Sequence, residues 1–327
     1  MRAWLWYGGN MRRFVLLILL TCAACGGGAH GATTAAAPDG DFAVGTISMT
    51  FVDATRPTAA NGSYPGAASR TLPTTIYYPA AGDIDAPVRN GAPPVAGQRF
   101  PFIIFGHGLT AFGRLYFVIL EAWARAGYVV AAPDFPLSNG GAPGGAIAAD
   151  VVNQPADESF LIDRILALAD DSASPLFHLI DPARIGASGQ SLGGMTTMGI
   201  ALNTCCRDPR IGAAVPMAGS LIPYPDGMYD GAIGPPLLII HGDADDTVPY
   251  QSALDAYAVA EAPKALLTHI GGGHILPYVG SGDAAAVDAT IAASTAWFDL
   301  YLKHERGARQ RLLALHDNAR VRLETDF

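Results

Sequence analysis

The chain has 327 residues, of which 50% are hydrophobic and 15% are charged, and its formal net charge is −9 at pH 7. This composition excludes an intrinsically disordered chain, and the acidic balance excludes a basic footprint for DNA or RNA, so no nucleic-acid partner is expected. A chain of this length can bury a large core, and one α/β domain of this size is ordinary.

The N-terminal residues have the pattern of a bacterial export signal. Met11-Arg12-Arg13 is a short basic segment, and the apolar run 14–20 after it is too short for a permanent membrane anchor. Small residues then lead to Cys25 and three glycines, which resembles a lipoprotein signal in which Cys25 becomes the lipidated first residue. We therefore predict a signal peptide over 1–25 and membrane attachment through lipidated Cys25, with secretion or a periplasmic location as the alternative.

Residues 26–40 are rich in Gly, Ala and Thr without periodicity, which predicts a flexible linker before a single domain over 41–327. Short apolar segments of that domain predict strands at 44–51, 72–78, 101–106, 128–132, 185–188, 211–218, 237–240 and 266–270. Longer segments predict helices at 115–126, 157–169, 192–202, 251–260 and 290–303. The Pro- and Gly-rich residues 79–99 are expected to form a surface loop.

The alternation of strands and helices predicts an α/β fold with a mostly parallel, twisted sheet and helices on both faces. The segment 266–270 is interpreted as the last core strand, and 290–303 as a closing helix. The helix over 157–169 is expected to bury an apolar stripe made of Phe160, Leu161, Ile165 and Leu168. In such sheets, functional side chains lie at the carboxyl ends of the strands.

The sequence Gly189-Gln190-Ser191-Leu192-Gly193 lies between a predicted strand and a predicted helix. A serine flanked by glycines at such a junction is typical of a nucleophile elbow, a tight turn that points the hydroxyl over the strand ends. The helix behind Ser191 would direct its positive end toward a developing oxyanion. Ser191 is therefore the predicted nucleophile. Because a chain with 38 glycines contains such motifs by chance, the assignment depends on the partners of Ser191.

A serine hydroxyl needs a base to accept its proton, and that base needs an acid to orient it, in the chain order serine, acid, histidine. The strand over 237–240 is followed by His241-Gly242-Asp243-Ala244-Asp245-Asp246-Thr247-Val248-Pro249. We predict Asp245 as the acid because it occupies the D-x-x-V-P position after a G-x-x-D turn. Asp246 and Asp243 remain alternatives, although turn formation and helix capping also explain them.

Three glycines, Gly271-Gly272-Gly273, place His274 in a loop after the last predicted strand. His274 is the predicted general base because these glycines let the loop fold close to Ser191 and because His274 follows Asp245 in the chain. The remaining histidines after Asp245 are expected to pack beside the sheet or to be solvated; they are His269, His304 and His316.

An oxyanion hole needs two backbone N–H groups that point at the developing charge. The residue after the nucleophile, Leu192, supplies one of them. Gly106-His107-Gly108-Leu109-Thr110 follows a predicted strand, and its glycines let the backbone approach Ser191, so we predict the N–H of Leu109 as the second donor. His107 is expected to hold this loop through hydrogen bonds of its ring.

The H-G-L, G-x-S-x-G, G-x-x-D-x-x-V-P and G-G-x-H motifs together resemble those of the α/β-hydrolase superfamily. Over roughly residues 70–303 the chain is similar to bacterial lipases and esterases grouped with cutinase-like polyester hydrolases, platelet-activating-factor acetylhydrolases and chlorophyllase-like enzymes. The resemblance implies a catalytic domain over 41–327, acting as a serine carboxylic-ester hydrolase through an acyl-enzyme. It implies a small-molecule, lipid or polymer ester as substrate.

The chain departs from the polyester hydrolases of this group at two positions. Leu109 stands where they have an aromatic residue, and an ungapped reading places Ser220 where they have a tryptophan. The aromatic clamp for polyester rings is therefore expected to be absent. Aromatic residues that could line the cleft instead, although ordinary packing explains each, are Phe112, Tyr116, Tyr224, Tyr229 and Tyr278. The segment 220–234 is short, so we expect no large lid and substrates with short or medium acyl chains.

Two other functions use parts of the same pattern. A serine peptidase or amidase would need the same three side chains, but the sequence contains no sign of the propeller or cap domain that many such peptidases use. A surface lipoprotein that only binds would have no need of an intact triad. No cofactor or metal is expected, because neither the nucleophile nor the oxyanion hole requires one, and we expect a monomer.

Two of the four cysteines lie in the predicted signal peptide, and the other two are adjacent, Cys205-Cys206. A disulfide between neighbouring cysteines closes a strained ring, so we expect two separate thiols. A disulfide remains the alternative in an oxidising compartment. No cysteine spacing indicates a zinc site.

Overall fold

The computed structural model describes residues 42–317 and 319–327, which fall within one compact unit, Gly40–Phe327. The predicted signal peptide over 1–25 and linker over 26–40 lie outside the described residues. Among the helices of the described ranges, none has both the length and the apolar character needed to cross a membrane.

The strands in the described ranges are β1 (Ala43–Asp53), β2 (Arg70–Ala80), β3 (Arg89–Asn90), β4 (Phe100–Gly106), β5 (Val129–Pro133), β6 (Ile180–Gln190), β7 (Ile211–Met217), β8 (Leu237–Gly242), β9 (Lys264–His269) and β10 (Val321–Asp326). They form one sheet in the order β10-β9-β8-β7-β6-β4-β5-β2-β1-β3. Strands β4 to β9 pair in parallel. β2 pairs antiparallel with β1 and β5, and β10 pairs antiparallel with β9. The predicted mostly parallel sheet is confirmed.

The described helices are α1 (Phe117–Arg125), α2 (Gln154–Asp170), α3 (Leu192–Leu202), α4 (Gln251–Val259), α5 (Ala284–Phe298) and α6 (Ala308–Leu313). They cover both faces of the sheet because central strands such as β4 are apolar and buried at every position. In β4, Phe102 and Ile104 enter the apolar cluster that α2, α3 and α4 complete. Ile103 and Phe105, which point the other way, enter the cluster that α1, α5 and α6 complete.

The prediction that 266–270 is the last core strand is wrong. That segment corresponds to β9, and β10 adds a further antiparallel strand beside it, with Val321 paired to His269. In β10 the buried Val321 and Leu323 alternate with the exposed Arg322 and Glu324. This alternation is the signal of a strand buried on one face only, and its charged residues suit the edge of a sheet. The predicted loop over 79–99 also contains β3, which pairs with β1 over two residues.

Two predicted helices differ from the structure at their ends. The closing helix was expected over 290–303, but α5 begins at Ala284 because the side chain of Asp283 accepts a hydrogen bond from the N–H of Ala285. A π-helix, Asp299–Lys303, continues it. The helix expected over 115–126 begins as a 3-10 turn, Gly113–Tyr116, before α1.

Helix α2 buries acidic residues as well as apolar ones. Leu161 and Ile165 of the expected stripe are fully buried, whereas Phe160 and Leu168 are only half-buried. Asp157 is buried because both carboxyl oxygens accept hydrogen bonds from Arg70, which is itself 1% exposed and also binds both oxygens of Asp150. An apolar-stripe pattern does not show this pairing, since Arg70 lies on a distant strand.

The adjacent cysteines were expected to be separate thiols, but the structure joins Cys205 and Cys206 in a disulfide. They lie in the turn that follows α3. The backbone N–H of Cys205 donates to the side chain of Asn203, and the N–H of Cys206 donates to the Asn203 carbonyl. These bonds hold a tight turn that brings the two sulfurs together.

Candidate active site

Ser191 has a backbone conformation that side chains rarely adopt. Its φ is 57° and its ψ is −117°, and its N–H donates to the carbonyl of Met217 on β7 at 2.9 Å. The flanking glycines permit this turn through close backbone approach. A Cβ on Gly189 would lie 2.4 Å from the carbonyl oxygen of Gly193, and a Cβ on Gly193 would lie 2.0 Å from that of Gly106. The local sequence therefore folds as the predicted elbow, with the hydroxyl at the strand ends.

Ser191, Asp245 and His274 come after β6, β8 and β9, and parallel strands bring their side chains to the same edge of the sheet. Nε2 of His274 lies 2.8 Å from Oγ of Ser191, and Nδ1 of His274 lies 2.7 Å from Oδ2 of Asp245. Because a carboxylate only accepts hydrogen bonds, Nδ1 carries the proton of a neutral His274. Nε2 is then free to accept the hydroxyl proton of Ser191, which is the arrangement that activates a serine.

The side chain of Asp245 is fully buried, and backbone groups hold it in position. Its Oδ1 accepts hydrogen bonds from the N–H groups of Thr247 and Val248, at 2.9 and 2.8 Å. These two donors belong to the turn that the D-x-x-V-P pattern predicts. They orient the carboxylate so that Oδ2 faces His274, and they stabilise its negative charge in a buried position.

The two competing aspartates lie elsewhere in the same turn. Oδ1 of Asp243 accepts a hydrogen bond from the N–H of Gly271 at 2.6 Å, which ties the loop after β8 to the loop that carries His274. Asp246 is exposed, and its Oδ1 lies 3.3 Å from the hydroxyl of Thr247. Neither contact involves the imidazole of His274.

The other histidines after Asp245 lie away from the serine. Nε2 of His269 lies 2.8 Å from the hydroxyl of Thr290 on α5, and burial lowers the pKa of His269 to about 4. It therefore stays neutral at neutral pH and packs beside the sheet, as expected. His304 and His316 are exposed, also as expected.

His241 was not singled out by the sequence, yet it contacts the same carboxylate. Its Nε2 lies 2.9 Å from the carbonyl oxygen of Val248 and 3.3 Å from Oδ2 of Asp245. Burial lowers its pKa, so the ring is neutral and Nε2 carries the proton that these oxygens accept. The sequence places His241 four residues before Asp245, which was the available signal that the two residues could be neighbours. The required chain order, in which the base follows the acid, excluded His241 as a candidate base.

The loop after β4 lies directly against the nucleophile, since a Cβ on Gly108 would lie 3.2 Å from Cβ of Ser191. His107 fixes this loop with both ring nitrogens. The N–H of Phe135 donates to its Nε2 at 3.0 Å, so Nδ1 must carry the proton that it donates to the carbonyl of Gly108 at 2.7 Å. The ring hydrogen bonds that the sequence suggested are present.

Of the two predicted oxyanion donors, Leu192 directly follows Ser191 in the chain, and Leu109 directly follows Gly108, which packs against the side chain of Ser191. Leu192 is the first residue of α3, where helical hydrogen bonding leaves the N–H without a partner. The N–H of Gly108 is occupied, because it donates to the hydroxyl of Tyr116 at 3.2 Å. For the N–H of Leu109, the described part of the chain contains no acceptor. The geometry thus leaves Leu109 rather than Gly108 available to a ligand.

Most of the aromatic residues considered for the cleft belong to the core. Tyr116, Tyr224 and Tyr278 are at most 4% exposed, whereas Phe112 and Tyr229 are half-buried. The loops after β4 and β9, which carry Gly108 and His274, present aliphatic side chains to solvent instead. These exposed residues are Leu109, Ile275 and Leu276. Both loops are therefore partly apolar at their surface, and the three buried tyrosines do not form an aromatic clamp there.

Metal ligands are not gathered in the described ranges, where no group of three or more His, Cys, Asp or Glu side chains could hold an ion. The expectation that no cofactor is required stays a prediction.

A mostly parallel sheet with helices on both faces and a strand–serine–helix elbow at its edge defines a hydrolase of the α/β-hydrolase fold. Residues 107–301 match the dienelactone hydrolase family, and because this is more than half of the 327 residues, the chain belongs to that family. Residues 64–136 match the family described as platelet-activating factor acetylhydrolase, isoform II.

Three individual proteins that resemble this chain share 28% sequence identity with it or less. The solved structure of a ferulic acid esterase from Streptomyces cinnamoneus has a TM-score of 0.64 and 22% identity, covering 83% of this chain and 93% of that chain. This likeness shows a shared fold. Two proteins called uncharacterized protein YfhR, from Escherichia coli O157:H7 and strain K12, are 28% identical over 113 residues. The match covers 29% of this chain and 40% of those relatives, so the chain spans less than half of their length.

The predicted α/β-hydrolase superfamily is confirmed, and the match to the acetylhydrolase family agrees with the stated resemblance. The dienelactone hydrolase family was not predicted. The four motifs identify the fold and its elbow, and they do not distinguish one branch of the superfamily from another.

Proposed function

We propose that this protein is a serine carboxylic-ester hydrolase in which Ser191 is the nucleophile, His274 the general base and Asp245 the acid. One observation supports this most directly: an unbroken hydrogen-bonded chain runs from Oγ of Ser191 through both nitrogens of His274 to Oδ2 of Asp245. Three side chains that touch in this order perform nucleophilic catalysis on several unrelated folds.

Acylation begins when Oγ of Ser191 attacks the ester carbonyl carbon while Nε2 of His274 takes the hydroxyl proton. The carbonyl oxygen becomes negative and accepts hydrogen bonds from the N–H groups of Leu192 and Leu109. The imidazolium is stabilised by the carboxylate of Asp245. When the tetrahedral intermediate collapses, the bond to the alcohol oxygen breaks, and Nε2 gives its proton to that oxygen.

Deacylation repeats these steps with water. His274 accepts a proton from a water molecule, and the resulting hydroxide attacks the carbonyl carbon of the acyl-enzyme. The same two N–H groups stabilise the second oxyanion, and the bond to Oγ of Ser191 breaks as the serine regains its proton. The products are a carboxylic acid, an alcohol and the original enzyme.

We propose esters with short or medium acyl chains as substrates, including lipids and aliphatic polyesters. Two features support this choice. Between β7 and β8 the helical structure is limited to a three-residue 3-10 helix, Gly231–Ile233, which is too small to act as a lid. The exposed apolar residues on the loops beside Ser191 suit a substrate that is presented at a surface. Both family names and the ferulic acid esterase fit hydrolysis of an ester.

The first experiment compares wild type with Ser191→Ala on p-nitrophenyl butyrate and on the matching p-nitroanilide. The proposal expects ester hydrolysis by the wild type alone. A variant that keeps wild-type esterase activity would exclude Ser191, and faster cleavage of the anilide would indicate an amidase. A fluorophosphonate probe should label the wild type and not the variant, whereas a protein that only binds would stay unlabelled.

A second experiment measures chain length, using p-nitrophenyl esters from acetate to palmitate, polycaprolactone and a phospholipid. We expect the highest kcat/KM for short or medium acyl chains. A maximum at palmitate would contradict the proposed substrate range.

We further propose that the protein is exported, is anchored through lipidated Cys25 and acts as a monomer. Metabolic labelling with an alkyne fatty acid should mark the wild type and Cys22→Ala but not Cys25→Ala. Equal labelling of all three would contradict lipidation at Cys25. Light scattering on the protein without residues 1–25 measures its molar mass and so tests whether it is a monomer.

A further inference from the structure

A chain of buried hydrogen bonds connects the backbone of two catalytic loops behind the proposed triad. The N–H of Gly108 donates to the hydroxyl oxygen of Tyr116 at 3.2 Å. The hydroxyl of Tyr116 donates to Oε1 of Gln190 at 2.8 Å. Nε2 of Gln190 then donates to the carbonyl oxygen of His274 at 2.8 Å. Neither Gln190 nor Tyr116 is needed for the chemistry of the triad itself.

The direction of these hydrogen bonds follows from the last acceptor, the carbonyl oxygen of His274. A carbonyl oxygen only accepts hydrogen bonds, so the amide nitrogen of Gln190 must face His274 and the amide oxygen must face Tyr116. The hydroxyl proton of Tyr116 is then committed to Gln190, which leaves its oxygen to accept from Gly108. Gln190 is 0% exposed and Tyr116 is 1% exposed, so water does not compete for these bonds.

The residues joined by these hydrogen bonds lie next to groups that the proposed reaction uses. Gly108 precedes Leu109, Gln190 precedes Ser191, and the last acceptor is the backbone of His274. The packing is close as well, because a Cβ on Gly108 would lie 2.9 Å from Oε1 of Gln190. The chain thus joins the oxyanion loop, the elbow and the loop of the base.

We propose that Gln190 and Tyr116 are positioning residues that hold the Leu109 N–H and the His274 imidazole in register with Ser191. This inference rests on the proposed function. Gln190 fixes the loop that carries the general base, and Tyr116 fixes the loop that carries an oxyanion donor. Because small displacements of such groups are costly in catalysis, losing either bond lowers kcat by about tenfold to a hundredfold.

The test uses Gln190→Met and Tyr116→Phe, which remove the polar atoms and keep nearly the same volume. Each variant is assayed on two butyrate esters, one with p-nitrophenol and one with ethanol as leaving group. Ethanol is a much poorer leaving group, so its departure depends on protonation by His274, whereas p-nitrophenolate departs without it. Gln190→Met should therefore lose more activity on the ethyl ester. Tyr116→Phe should lose a similar factor on both esters, because both form an oxyanion. KM should change by less than about twofold.

Tyr128→Phe is the matched control. Tyr128 is equally buried, and its hydroxyl donates to Asp299 at 2.6 Å, at the opposite end of β5 from the site. It should lower the melting temperature without changing kcat or the ratio between the two esters. If Tyr116→Phe and Gln190→Met behave like this control, the inference is overturned. If Gln190→Met does not fold, Tyr116→Phe decides, since a kcat within twofold of wild type contradicts the positioning role.

Two combinations of results distinguish a failure of the proposed function from a failure of this inference alone. Activity that survives in Ser191→Ala removes the proposed function, and with it the reason for a positioning role. Loss of activity in Ser191→Ala, together with wild-type kcat in Tyr116→Phe and Gln190→Met, removes the positioning role alone.

Discussion

Nε2 of His241 lies 3.3 Å from Oδ2 of Asp245, the same oxygen that lies 2.7 Å from Nδ1 of His274. One carboxylate oxygen thus faces two imidazoles. Burial lowers the pKa of His241, which keeps that ring neutral, so it adds a hydrogen bond to the carboxylate without adding a positive charge. In the proposed reaction, the charge that forms on His274 is then the charge that Asp245 stabilises.

Asp245→Asn tests this arrangement. The amide has the shape of the carboxylate but can turn its N–H₂ group toward His274, which would place the imidazole proton on Nε2, against Ser191. We expect kcat for p-nitrophenyl butyrate to fall by about 10³–10⁴-fold at pH 7, with a melting temperature near that of the wild type.

Asp246→Asn is the control for that prediction, because Asp246 is exposed and lies in the same turn. It should keep kcat within about twofold. A loss in Asp246→Asn as large as in Asp245→Asn would show that the acid was assigned incorrectly.

The elbow should not tolerate a methyl group at Gly193. An added Cβ would lie 2.0 Å from the carbonyl oxygen of Gly106, where backbone atoms cannot move aside. We expect Gly193→Ala to be insoluble or to lose more than about 99% of its activity. Gly273→Ala, beside His274, meets no atom within 4 Å and should stay soluble and active. Activity assays and circular dichroism of both variants check this, and an active Gly193→Ala would rule out the described turn.

Glu158 should make the protein less stable as the pH rises. Its side chain is fully buried, neither carboxyl oxygen has a hydrogen-bond partner among the described residues, and burial raises its pKa well above the ordinary value. Below the unfolded pKa of about 4.3 both states are protonated. Above it the unfolded chain releases a proton that the folded protein retains, so the free energy of unfolding falls until the folded pKa is reached.

Glu158→Gln removes this titration. Its melting temperature should therefore match that of the wild type near about pH 4 and exceed it by a growing margin toward about pH 8. Asp163→Asn, an exposed acid on the same helix, should show no such trend. A pH-independent difference between Glu158→Gln and wild type would contradict a buried, protonated Glu158.

Arg70 should contribute strongly to stability. Removing its guanidinium leaves the buried carboxylates of Asp150 and Asp157 without their main partner. We expect Arg70→Met to lower the free energy of unfolding by about 3–5 kcal/mol in urea titrations. The partly exposed pair of Arg184 and Asp181 should matter less, so Arg184→Met should cost about 1 kcal/mol or less. Equal decreases in the free energy of unfolding in the two variants would show that burial does not decide how much these ion pairs contribute to stability.

Patterns along the chain predicted much of the fold because they reflect local physics. A run such as Phe102 to Phe105, apolar at every position, has to be covered on both faces. The strand at Val321–Asp326 was missed because half of its residues are exposed and charged, as an edge position requires. The burial of Asp157 in α2 was missed because it depends on Arg70, which lies on β2, far away in the sequence.

The elbow at Ser191 follows from the local sequence, since glycines at two fixed positions are what a turn of that shape requires. The chain order of the proposed nucleophile, acid and base can also be read from the sequence. The packing of the folded chain was needed to show that Asp245 rather than Asp243 or Asp246 contacts His274, that His241 contacts the same carboxylate, and that Gln190 and Tyr116 connect two loops. These contacts join residues up to 84 positions apart, and the packing of parallel strands sets their distances.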